Sequence, residues 1–162
     1  MTALSLLPEP RTEQAGPKGL LGLVLEAQRL NAELLGPAIG TTADALRRLA
    51  ASLARHGRPP LLMPVSGPGE RLTGAALALA RGKLDAADFT VPLAGRHLLL
   101  VDGTVTGTVR LEEQARLLRR LGAHVHHAAV VRLLVPPGRD TPEVHELHRA
   151  QHPQKPGAAL LA

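Results

Sequence analysis

A chain of 162 residues, 44% of them hydrophobic, is long enough for one domain with a real core, which excludes disorder throughout. Phe89 is the single aromatic residue and cysteine is absent, so ring-stacking nucleic-acid platforms, aromatic cages, disulfides, thiol catalysis and cysteine-ligated metal centres fall away. The 19 basic and 14 acidic residues leave a net charge of +5, carried mostly by arginine, a bias that a GC-rich coding composition produces and that by itself names no partner.

In chain order, residues 1–19 alternate short apolar pieces with Pro and Gly and read as a loose arm; Pro8, Glu9 and Pro10 stand where a secretory core would have to continue. From Leu20, the residues Leu20, Leu21, Val24, Leu25, Ala27, Leu30 and Leu34 recur at steps of three and four, which predicts an amphipathic helix ending near Gly36-Pro37. A second helix is expected behind a hydroxyl N-cap at Thr41-Thr42, with Leu46, Leu49 and Leu53 on one face, stopping at His56-Gly57. Leu61–Val65 reads as a buried strand in which Pro64 marks an edge or a terminus. Ser66-Gly67-Pro68-Gly69-Glu70-Arg71 reads as a loop, and Leu72–Ala80 as a helix whose alanines permit close approach to a sheet.

Phe89–Leu93 is a candidate short strand, and His97–Val101 has the continuous apolar pattern of a central parallel strand. A Gly- and Thr-rich loop from Asp102 to Thr108 leads into a helix over Leu111–Leu121, capped by Gly122, and a further strand over Val125–Val135. Residues 136–162 are a Pro- and His-rich tail with a short helix expected around 142–150. Two strand–loop–helix units in succession predict an α/β fold over 20–135, an open and mostly parallel sheet flanked by helices, with a ligand crevice at the carboxyl edge. With no apolar run of about 18 residues, the chain reads as a soluble, cytoplasmic protein without a membrane partner.

The loop after the central strand has the chemistry of an anion site. Backbone N–H groups in a tight turn, backed by the positive end of a helix, hold a phosphate without any lysine. Thr104, Val105, Thr106, Gly107 and Thr108 form that segment: the threonines offer hydroxyls, Gly107 admits positive φ, and a helix starting near Val109 aims its free amides at the turn. Asp102 stands where it can accept hydrogen bonds from sugar hydroxyls or orient hydrated Mg²⁺.

The segment HLLLVDGTVTGTVRLEEQARLLRRLGAHVHHAAVVRL resembles the type I phosphoribosyltransferase family, whose signature is a hydrophobic strand, two acidic residues and a Thr-Gly-rich loop opening a helix. Upstream, LLMPVSGPGERLTGAALALARG is similar to that family's pyrophosphate loop and the helix after it, and Phe89-Thr-Val-Pro-Leu-Ala-Gly-Arg is similar to the ComF branch. The resemblance covers roughly Pro60 to Val135. It implies that Asp102 binds the ribose hydroxyls of phosphoribosyl pyrophosphate, that Thr104, Val105, Thr106, Gly107 and Thr108 cradle the 5′-phosphate, and that Ser66, Gly67, Pro68, Gly69 and Arg71 surround the pyrophosphate and its Mg²⁺. The implied activity is transfer of phosphoribose to a nitrogen base, and the alternative is a nucleotide-sensing or RNA-binding regulator on the same fold. Two departures stand out: Gly103 occupies the second acidic position, and the short step from Arg81 to His97 lacks the family's further strand and long lid.

His124 and His126 share one strand face, with His127 on the other, while His145, His148 and His152 share a helical face; either set suits a divalent metal, but no carboxylate or cysteine completes a recognisable ligand spacing, and the reading taken is histidines without a metal. Arg116, Arg119 and Arg120 suggest an RNA-binding stripe, against which Glu112 and Glu113 argue for an ordinary solvated helix face. The small core suggests a homodimer.

Overall fold

Residues 17–148 are described by a computed structural model. They run α1 (Pro17–Leu35), α2 (Ile39–Ser52), β1 (Leu61–Pro64), α3 (Gly67–Ala80), β2 (His97–Val105), α4 (Val109–Arg120), β3 (His124–Leu133) and β4 (Glu143–Glu146). The strands form one parallel sheet in the order β1-β2-β3-β4, so the expected open α/β architecture is what the chain adopts. None of the described helices is long and apolar enough to cross a membrane.

Alternation along β2 builds two cores. Leu99 and Val101 pack with Leu46 of α2 and Leu72 and Ala76 of α3, whereas Leu98 and Leu100 pack with Leu111, Ala115 and Leu118 of α4. Aliphatic side chains do the filling: Leu46, Leu72, Leu99, Leu100, Leu111 and Leu118 are all fully buried, while Phe89 is 55% exposed and contributes little. Backbone approaches backbone at Gly69, where any Cβ would run into the Val101 carbonyl oxygen, so the start of α3 seats directly on β2.

The placement of α3 and α4 on opposite faces needs an explanation, because right-handed crossovers between successive neighbouring strands would put both helices on one face. It lies in residues 84–87. Leu62 N donates to Asp85 O and Ala87 N donates to Leu62 O, each at 2.9 Å, and Leu62 makes a parallel bridge with Ala86. The chain therefore leaves β1 through α3, touches down on the outer side of β1, and only then returns to lay β2 on the inner side. The sense of winding reverses between β1 and β2, which is the switch point where doubly wound sheets open a crevice at their carboxyl ends. Where the sequence suggested that no further strand stands between α3 and β2, the chain makes this single bridge.

Several expectations are corrected. Residues 17–19 belong to α1 rather than to the arm; residues 1–16 lie outside the described part. The N-cap of α2 is Ala38 with no side-chain cap, because Thr42 sits inside the helix and its hydroxyl donates back to Ala38 O at 3.1 Å. Phe89–Leu93 is turn and coil, closed by the Thr90 hydroxyl donating to Asp88 Oδ1 at 2.5 Å and Thr90 N donating to it at 2.8 Å, bonds that in that order hold the Asp88 carboxyl below its usual range. Of the short helix expected around 142–150, residues 143–146 are instead β4, which pairs with β3 from Glu143 against His127 to Glu146 against Val130 and carries the sheet beyond residue 135, whereas Leu147 and His148 are helical and residues 149–150 lie outside the described part. Pro64 stands as expected at the end of an edge strand.

Candidate functional site

The carboxyl ends of β1 and β2 bring Ser66 and Asp102 together across the switch point. Ser66 is the N-cap of α3: its extended backbone (φ −145°, ψ 170°) lets Oγ accept from Gly69 N at 3.3 Å. Pro68 in the first turn costs no hydrogen bond there. Gly67, Pro68, Gly69, Glu70 and Arg71, expected as a loop, are thus the opening turns of α3, with Gly67 and Arg71 exposed. The Ser66 hydroxyl donates to Asp102 Oδ1, and Gly103 N donates to the same oxygen at 2.7 Å. Asp102 is 8% exposed, and among the described residues its Oδ2 receives no protein donor.

Beyond Asp102 the strand continues, because β3 runs alongside it: Thr104 pairs with Arg132 and Val105 with Leu133. Thr104 and Val105 are therefore strand residues, and the free turn is Thr106-Gly107-Thr108. Thr104 Oγ1 is buried without a hydrogen-bond partner among the described residues, an orphan of the kind that marks strain, function or an unseen ligand. Gly107 does not take positive φ; nothing lies within 4 Å of where its Cβ would stand, so this side of the turn is open. Thr108 opens α4 with no side-chain cap bond, which leaves first-turn amides for another acceptor.

Three residues that the sequence reading did not assign to the site enter it. Asn31 reaches in from α1, and its Oδ1 accepts from Thr104 N at 2.6 Å. A Cβ at Gly103 would fall 2.6 Å from both Asn31 Oδ1 and Pro68 Cβ, so the absence of a second carboxylate is enforced by packing. Arg110, in the first turn of α4, donates to Val65 O at 3.0 Å, so its guanidinium stands at the end of β1. Glu112 Oε1 accepts from Thr108 Oγ1 at 3.2 Å and from Thr141 Oγ1 at 2.7 Å, so part of the helix's positive end is already answered by a carboxylate.

The groups along the carboxyl edge of β1 and β2 are a strand-end carboxylate oxygen, a capping hydroxyl and the amino ends of α3 and α4. They suit a phosphorylated sugar. They also fit a Mg²⁺ ion of the kind that keeps its waters and is held chiefly by substrate phosphates with one protein carboxylate.

The histidines cluster near the amino ends of the strands. A bulge in β3 sets Leu98 against Val125 and Leu99 against His127, so His126 is the extra residue. His127 is thereby turned to the face shared by His97 and His124, not the opposite one expected from strict alternation. His97 and His124 stack with centroids 4.7 Å apart, and His124 and His126 at 6.3 Å. Burial, reinforced by neighbouring cations, holds His97, His126 and His127 below the usual imidazole range. Arg119 is not part of a free stripe, since it donates twice to Val125 O, at 3.1 and 2.5 Å, and ties α4 to β3. His152 lies outside the described residues.

Comparison with solved structures bears on the fold. A hypoxanthine-guanine-xanthine phosphoribosyltransferase superposes with a TM-score of 0.51 at 16% identity, over 67% of this chain and 76% of that one. HGPRT-ase from Leishmania tarentolae in complex with GMP matches over the same shares at 16% identity, with a TM-score of 0.43. No family model matches the chain, and neither does any curated protein.

Proposed function

We propose that this chain, which has the type I phosphoribosyltransferase fold, binds a ribose 5-phosphate ester, either phosphoribosyl pyrophosphate or a nucleotide, at the carboxyl edge of β1 and β2. The observation that carries this reading is the convergence of Asp102, held by Ser66, with the open turn Thr106-Gly107-Thr108 at the amino end of α4. In this reading the turn amides, including that of Thr108, and the hydroxyl of Thr106 hold the 5′-phosphate, Arg110 adds a cation, and Asp102 Oδ2 faces the sugar hydroxyls. The opening turns of α3, from Gly67 to Arg71, face the diphosphate. Mg²⁺, when bound with that diphosphate, neutralises the leaving group, and Asp102 is the carboxylate that would hold its water shell. Transfer of phosphoribose to a nitrogen base is the reaction such a site supports, and the 89–96 segment before β2 favours the ComF-like branch.

Calorimetry with phosphoribosyl pyrophosphate plus Mg²⁺, with GMP and with ribose 5-phosphate tests the reading. Saturable binding is expected, weakened about 2–10-fold in Asp102→Asn, the worth of one sugar hydrogen bond. Pyrophosphate release in the presence of purine bases reports transfer. Absence of saturable binding of all three ligands at millimolar concentration removes the proposal.

A further inference from the structure

We propose a second site, at the opposite end of the sheet, that binds a borderline transition dication such as Zn²⁺ through His127, Glu143 and His145. Nothing in the nucleotide reading requires it. His127 and the turn lie at opposite ends of strands that rise about 3.3 Å per residue, and the β3 residues from 127 to 133 span about 20 Å.

Two features of the chain build it. The β3 bulge turns His127 toward the same face as Leu99, and parallel pairing of β4 sets Glu143 opposite His127 and His145 opposite Ala129, so all three side chains share that face. His127 Nδ1 stands 3.1 Å from His145 Nε2 and 3.4 Å from Glu143 Oε2, and the three ligand atoms lie within 4.8 Å of one another. Two atoms each bonded to Zn²⁺ at 2.0–2.1 Å and set at the tetrahedral angle are about 3.3 Å apart, so the spacing along two edges of this triangle is that of a coordination shell. Glu143 is 68% exposed and His127 26%, leaving a solvent side for entry and for a water as fourth ligand.

Two imidazoles and one carboxylate favour Zn²⁺, Co²⁺ or Ni²⁺ over the hard cations, which prefer oxygen throughout. The pair favoured by spacing alone, His124 and His126, stacks ring on ring instead of converging.

The role is a clip. β4 is a four-residue edge strand reached from β3 without a helix, and the connection carries Thr141, which bonds Glu112 at the start of α4. A cation joining β3 to β4 closes that loop at its base by coordination and fixes the far end of the segment that leans on α4.

The test uses the untagged full chain stripped with chelator. Zn²⁺ titration should show one equivalent bound with micromolar or tighter affinity and a raised Tm, and Co²⁺ should give the intense visible bands of four-coordinate cobalt. Glu143→Gln, chosen because an exposed side chain tolerates replacement, and His145→Gln should each weaken binding at least tenfold, while His56→Gln leaves it unchanged. Loss of folding in His145→Gln leaves Glu143→Gln to decide. Absence of saturable Zn²⁺ binding, or equal affinity in wild type and Glu143→Gln, overturns the proposal, and the cluster is then a hydrogen-bonded histidine pair.

Discussion

Replacing Gly103 by alanine is the sharpest probe of how α1 closes the site. The new Cβ would stand 2.6 Å from Asn31 Oδ1 and 2.6 Å from Pro68 Cβ, where apolar contacts normally settle near 3.5–4.0 Å. Asn31 can swing away, but only by releasing Thr104 N, and an orphaned buried amide costs about 1–3 kcal/mol. Pro68 cannot rotate, because it is fixed in the first turn of α3, so overpacking adds about 1–3 kcal/mol. Gly103→Ala should therefore lose about 4 kcal/mol. Asn31→Ala alone should lose about 1–3 kcal/mol, and in its background the alanine at 103 should cost only the Pro68 share. Urea unfolding of the four proteins measures the coupling, expected at about 1–3 kcal/mol of non-additivity. Additivity within about 0.5 kcal/mol, or a neutral Gly103→Ala, would refute the account of why no second carboxylate stands there.

Gly69→Ala meets backbone at the Val101 carbonyl and has no rotamer escape, so it should lose about 3 kcal/mol, visible as a lower urea midpoint at unchanged slope. Ser66→Ala removes both the α3 cap and the donor to Asp102; we expect about 1–2 kcal/mol of lost stability together with weaker nucleotide binding by calorimetry. Glu112→Gln removes the carboxylate beside the turn and should tighten binding of a phosphate ester, an effect that diminishes at high salt. Burial, with His124, Arg55, His126 and His56 adding to it, lowers the folded-state pKa of His97 below its ordinary 6.5, so its share of stability is present above pH 6.5 and lost as pH falls through the folded value. His97→Asn should flatten thermal stability between about pH 7 and pH 5.5.

The parts legible in the sequence are those fixed by local pattern. The apolar run from Leu98 to Val101 and the stripe Leu111, Ala115 and Leu118 specify β2 and α4 because each residue's burial follows from its own neighbours in the chain. What escaped depends on a distant partner. β2 runs on to Val105 only because β3 accompanies it, and β4 is a strand only because an edge of β3 is free to pair. The bulge at His126 inverts an alternation that spacing alone cannot reveal. Asn31 left one signal, a polar residue between Leu30 and Leu34 in an otherwise apolar stripe, but its acceptor role at Thr104 depends on where α1 docks. The lead into β2 was legible as short, yet the bridge at Ala86 takes the form of a single pair of hydrogen bonds that no periodicity announces.

That bridge bears on how the molecule behaves in a crowd. A parallel sheet ends in rows of unspent peptide donors and acceptors that invite a neighbour's strand, the first step toward fibrous association. Here the β1 rim is brief, ends in a proline without a donor and is roofed by residues 84–87, while the opposite rim opens on the charged Glu143. Loosening the roof, for instance with Ala86→Pro, should surface first as concentration-dependent precipitation, ahead of any change in ligand affinity.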